Sequence, residues 1–164
     1  MRGGLTMRAL TIGAAGALFL IGGCATPGQL PQRLQLAVTM TGVQAVPGPG
    51  DPAMTGRGQV RVNTRTGELC WDIYARGGTA ASAAQIRRGA AGSTGPVAVQ
   101  LSPPDAAGHS QGCATLDAGT VRAMAVQPYN FYVNVDSAAF PNGAARGQLR
   151  GDGVFREDRQ RQGG

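Results

Sequence analysis

The chain has 164 residues, 42% hydrophobic but only 5% aromatic, with 27 Gly, 10 Pro and a formal net charge of +6. So many chain-turning residues argue for short strands and tight turns and against a helical bundle. The basic residues are all Arg, scattered and without an interleaved aromatic platform, which speaks against a nucleic-acid partner and for a solvated surface facing anionic lipids.

The first element is at the N-terminus. Arg2 and Arg8 precede an uncharged stretch, residues 9–23, that ends in Leu20-Ile21-Gly22-Gly23-Cys24. A positive n-region, a short apolar run and small residues before a cut site form a secretory signal peptide. The run falls short of the ~20 residues that a membrane span needs. Cys24 resembles the lipidated cysteine of a bacterial lipobox, so residues 1–23 are expected to be removed and Cys24 to carry lipid, palmitate included. Residues 24–33, with Pro27, Gly28 and Pro31, read as a flexible tether. Ala25, in place of the aspartate that retains such proteins in the inner membrane, points to the outer membrane where one exists. The expected location is the periplasmic or extracellular face of the envelope.

With Cys24 lipidated, Cys70 and Cys113 remain, and in an exported protein such a pair reads as a disulfide. A tetrahedral zinc site would need carboxylates besides these two thiols and the single histidine, and a reactive pair is normally closer in sequence.

Residues 34–40 alternate apolar with polar or small side chains and predict a half-buried strand. Residues 46–52 hold three prolines and two glycines and exclude regular structure. Residues 59–63 and 69–74 alternate again around Thr64-Arg65-Thr66-Gly67, an antiparallel hairpin. Its second strand puts Leu69, Trp71 and Ile73 on one face, which makes Trp71 a core residue. Short strands follow over 80–87, 97–101 and 112–116, the last two separated by a loop that contains His109, read as a plain surface residue. Asp117 is an N-cap for a helix over 118–126 that ends before Pro128, with Leu116, Val121, Met124 and Ala125 as its buried stripe. Residues 131–136 form the clearest strand, a last one follows around 148–150, and 154–164 read as a disordered charged tail. About seven strands without strand–helix alternation predict an all-β, antiparallel Greek-key sandwich or barrel with one short helix.

Two segments carry more than periodicity. One runs from Ala83-Ala84-Gln85-Ile86-Arg87 through a Gly-rich turn to Gly95-Pro96-Val97. The other runs from Tyr132-Val133-Asn134-Val135-Asp136 through Phe140-Pro141-Asn142-Gly143 to Arg146-Gly147-Gln148-Leu149. With Gly42-Val43-Gln44-Ala45-Val46-Pro47, Cys70-Trp71 and Gly112-Cys113, they resemble the CHRD domain, named after chordin, over residues 34–153. The resemblance implies an immunoglobulin-like or superoxide-dismutase-like β fold. Physically, Gly92 and Gly95 are expected to supply positive φ in the turn, and Phe140 to plug the later reversal. Arg146 is expected to hydrogen-bond nearby loop carbonyls.

The departures bear on function. The family pattern has histidines where this chain has Gln85, Arg87 and Asp136, so an imidazole metal site cannot be built there. Gln85, Arg87, Asp136 and Arg146 form the candidate binding surface, with Arg87 and Asp136 expected to pair as a bidentate contact beside Gln85. There is no Gly-x-Ser-x-Gly elbow and no Lys for Schiff-base chemistry, so no catalytic residue, metal or cofactor is assigned. The expected role is a non-enzymatic binding or structural module, with the membrane as partner through its lipid and an envelope protein or glycan as a further one. A degenerate metal-binding or superoxide-dismutase-like protein is the alternative. A signalling role like chordin's would rest on fold analogy alone.

Overall fold

The computed structural model describes residues 30–151; the expected signal peptide, Cys24, most of the tether and the charged tail lie outside the described residues. The strands are β1 (Arg33–Thr41), β2 (Thr55–Asn63), β3 (Glu68–Arg76), β4 (Ala81–Arg88), β5 (Val97–Leu101), β6 (His109–Thr115), β7 (Phe131–Ser137), β8 (Ala145–Gln148) and β9 (Arg150–Gly151), with helix α1 (Ala118–Val126) between β6 and β7. The sheet order is β5-β4-β7-β8-β1-β2-β3-β6, with β9 beside β1. Every pairing is antiparallel. The sheet curls into a nearly closed barrel whose seam lies between β5 and β6. Within the sheet, on either side of that seam, β3 pairs with β6 and β4 with β7, the non-sequential neighbours of a Greek key.

Period-two alternation builds the core. Leu34, Leu36, Val38 and Met40 of β1 point inward with Val60, Val62, Leu69, Trp71 and Ile73. Ile86, Val99, Leu101, Phe131, Val133 and Val135 meet them from the other half. Each such side chain stabilises the fold by roughly 1.5–3 kcal/mol. Trp71 lies in the core, and its indole N–H donates to Ser110 Oγ at 3.0 Å. The Ser110 hydroxyl in turn donates to Ser102 O at 2.6 Å, so this short relay spans the open seam. Gly112 makes room for the indole, because a Cβ there would collide with the Trp71 ring.

Helix α1 occupies the expected residues. Asp117 caps it by accepting from the Thr120 N–H at 2.9 Å, and Val121 and Met124 are buried beneath it. Leu116 and Ala125 are only partly buried. Two strands begin earlier than their apolar patterns predict. In β2 the inward positions Gly56 and Gly58 carry no apolar signal; a Cβ on Gly58 would meet Asp72 O and Ile73. In β6 the inward residue is Ser110, polar because it serves Trp71. His109 therefore opens a strand and does not sit in the loop the sequence suggested.

The turn after β4 needs its two glycines for different reasons. Gly92 has φ 77°, the left-handed conformation expected. Gly95 does not; there a Cβ would run into the Arg88 carbonyl, so the position demands space. Phe140 packs against the core beneath the reversal that follows β7.

The Pro-rich segment is irregular, with cis bonds at Val46-Pro47 and Gly48-Pro49. It is tied down by Asp51, whose N–H donates to Ala144 O at 2.9 Å. The Asp51 carboxylate accepts from the N–H groups of Thr79 at 2.8 Å and Ala53 at 3.0 Å. The Thr79 N–H first, then that of Ala53, lowers its pKa below 3.8. Backbone donors lower Asp105, that of His109 first; the Thr120 side chain and N–H lower Asp117. A depressed carboxylate contributes stability that is complete above its unfolded pKa and lost as pH falls through the folded value. The melting temperature is therefore expected to fall on acidification below pH 3.8. Asp51→Asn should make that fall shallower; an unchanged pH slope in the variant would remove Asp51 from the account.

Candidate functional site

Register places the candidate residues on the outward face of β4, β7 and β8. Gln85 lies opposite Asn134, which lies opposite Arg146; one row along, Arg87 lies opposite Tyr132 and Tyr132 opposite Gln148. This face is largely covered: Gln85, Asn134, Tyr132 and Arg146 are all buried.

Asp136 collects amides. Its carboxylate accepts from Gln85 Nε2 at 2.8 Å and from Asn134 Nδ2 at 2.6 Å. The expected Arg87–Asp136 pair does not form. Asp136 lies opposite Ala83, four residues along β7 from the Arg87 partner Tyr132. At ~3.3 Å per residue that offset is about 13 Å, beyond a bidentate contact. The diagonal neighbour Gln85 reaches the carboxylate instead, and Arg87 Nε donates to Gly95 O at 2.8 Å. Gln85 Oε1 is buried without a hydrogen-bond partner.

Arg146 is among the largest fully buried side chains of the described residues, at 2% exposure, although it lies on the outward face of the sheet. It donates to Ser93 O at 2.7 Å, to Ala90 O at 2.8 Å and to Gln148 Oε1 at 2.9 Å. Its guanidinium carbon sits 3.6 Å from the centroid of the Tyr132 ring. Loss of water lowers its pKa, and the nearby Arg87 charge acts in the same direction. The charge is thus held by carbonyls and a π face rather than by a carboxylate. Gln148 Nε2 donates to Tyr129 O at 2.6 Å and Gly89 O at 3.0 Å. Together Arg87, Arg146 and Gln148 clamp the 89–96 turn onto the barrel. The carbonyl contacts read from the sequence for Arg146 are present.

The other half of the barrel carries a second polar face, which the sequence did not single out. Thr39, Arg57, Tyr74 and His109 form one cross-strand row over β1, β2, β3 and β6. The His109 ring stacks on Tyr74 with centroids 4.4 Å apart and planes 13° from parallel. His109 Nε2 lies 3.0 Å from Asp72 Oδ1. His109 is therefore a positioned ring, not an isolated surface residue. The register that brings it there was available: Cys70 faces Cys113, and four residues onward along β3 and back along β6 lie Tyr74 and His109.

Cys70 and Cys113 are bonded. Glu68 lies close to both sulfurs, but a disulfide has no thiolate to offer a metal.

No curated protein and no solved structure matches this chain. A family model, the CHRD domain, matches residues 36–149, through every strand from β1 to β8, the Asp136 amide cluster and the Arg146 clamp. CHRD domains are generally non-catalytic binding modules, and this chain belongs to the CHRD domain family.

Proposed function

We propose that this chain is a lipid-anchored module of the cell envelope, attached through Cys24, that binds or braces an envelope protein or glycan without catalysing a reaction. The observation that carries the reading is the Cys70–Cys113 disulfide, which joins neighbouring strands on the solvent side of the barrel. A partly exposed disulfide fits an oxidising compartment outside the cytoplasm. The export signal and Leu20–Cys24 agree with that compartment. Arg87, Arg146 and Gln148 spend their donors on the protein's own turn, which suits a scaffold. A degenerate metal-binding or superoxide-dismutase-like role has less support, because the Asp136 carboxylate already accepts from the Gln85 and Asn134 amides.

In cells fed a palmitate analogue, the wild-type protein is expected in the membrane fraction and labelled. Cys24→Ser should appear unlabelled in the soluble fraction. An unlabelled wild type, or a variant that stays with the membrane, would contradict the anchor.

A further inference from the structure

The outward face of β1, β2, β3 and β6 has features that a scaffold does not need. Arg57, Arg61 and Arg76 are exposed there, with Arg33 at its edge. Their cross-strand neighbours are neutral: Arg57 lies between Thr39 and Tyr74, Arg61 between Gln35 and Cys70, and Arg76 opposite Thr55. Among the described residues no carboxylate lies within ion-pair distance of these guanidinium groups; Arg76 Nε donates to Ala107 O at 3.1 Å and its guanidinium sits 5.4 Å from the Tyr74 ring centroid, while Asp72 contacts His109 Nε2 at 3.0 Å. Long side chains stand beside short ones and leave a groove. One hollow of about 730 Å³ is lined by Thr39, Thr41, Thr55, Arg57, Tyr74 and Arg76, over the backbone of Met40 and Gly56. A second, of about 490 Å³, continues it past Gln59 and Asp72 and shares Thr39, Arg57 and Tyr74. Both are open hollows on the strand face rather than enclosed cavities, which suits an extended ligand lying across the strands.

We propose that this groove binds an acidic polysaccharide, a chain of sugars bearing carboxylate or sulfate groups. Arg57 and Arg76, the two arginines of the lining, would take the acidic groups, since guanidinium suits planar or oxygen-rich anions. Thr39, Thr55, Gln59 and Asp72 supply the mixed donors and acceptors that hydroxyl groups require. The Tyr74–His109 stack gives an ordered amphipathic shelf. A bilayer needs no such mixture of acceptors. The groove runs from the Thr41 end of β1 to the middle of that strand at Ala37, four residues or about 13 Å at ~3.3 Å per residue from Arg33. Polysaccharide binding deepens the envelope reading proposed above and rests on it only for where the polysaccharide is met.

The test uses the intact protein in detergent with oligogalacturonate as acidic probe and maltohexaose as neutral probe, and the unlipidated Cys24→Ser chain without detergent for phosphatidylglycerol vesicles as membrane probe. Oligogalacturonate is expected to bind, more weakly as salt rises. Arg57→Ala and Tyr74→Ala should each weaken it by about tenfold, because both side chains lie at the centre of the groove. Arg122→Ala, an exposed charge change on α1, should not. Bound oligogalacturonate should also protect Arg57 and Arg76 of the wild type from a guanidinium-specific dicarbonyl reagent, a readout that needs no variant. Binding of Cys24→Ser should equal that of wild type, which separates the groove from the anchor. Absence of oligogalacturonate binding, equal affinity for maltohexaose, variants that bind like wild type, or binding to vesicles alone would each overturn the proposal.

Discussion

Replacing Arg146 with methionine is expected to destabilise the fold by about 3 kcal/mol, although methionine fills much of the same space. The carbonyls of Ser93 and Ala90 would lose their donors. A buried acceptor left unpaired costs roughly 1–3 kcal/mol. The contact with the Tyr132 ring would also go. Against this stands the relief of a desolvated charge, which is why the expected loss is below the sum of its parts. Arg146→Lys is the informative companion. It keeps the charge but cannot span two carbonyls and Gln148 with one fork, so it too should be destabilising. If the lysine variant melts with wild type, charge rather than geometry holds the turn. If the methionine variant does, the clamp contributes nothing. Thermal unfolding followed by circular dichroism reads both.

Removing the disulfide should have a comparable effect. Cys70 and Cys113 are 43 residues apart, and closing a loop of that size restricts the unfolded chain by an amount worth roughly 4 kcal/mol. The position adds a second consequence. β6 ends the sheet at the seam, paired along its length only with β3. The Cys70→Ala/Cys113→Ala double variant is therefore expected to lose stability first at β6 and the Trp71–Ser110–Ser102 relay. Amide exchange should show β6 opening while β1, β7 and β8 stay protected. A uniform loss of protection would mean that the bond acts on the unfolded state alone. An unchanged melting temperature would contradict both parts.

How much of this was legible in the sequence depended on which side chains carried the signal. Strands whose inward positions are apolar, such as Leu34–Met40 and Leu69–Ile73, could be read directly, as could the helix with its Asp117 cap. Where the inward residue is glycine or serine, the alternation persists but its apolar half is missing, and the starts of β2 and β6 were hidden. The Arg146 contacts were accessible because its segment and the Gly-rich turn both belong to the CHRD pattern. The Arg87–Asp136 pair failed for another reason. Two segments can be recognised as neighbours without fixing their register, and the true offset set Gln85, not Arg87, beside the carboxylate. The groove face went unnoticed because exposed Arg, Thr and Tyr at alternate positions look like ordinary solvated strand. Only the disulfide, which sets β6 against β3, could have aligned His109 with Tyr74 beforehand.

The envelope reading is tested most directly by the mass of the N-terminal peptide from protein isolated from its own cells. The expected chain begins at Cys24 with diacylglycerol on sulfur and acyl on nitrogen, and no peptide from residues 1–23 is found. A peptide that still carries residues before Cys24, or a Cys24 bearing a free thiol, would contradict it.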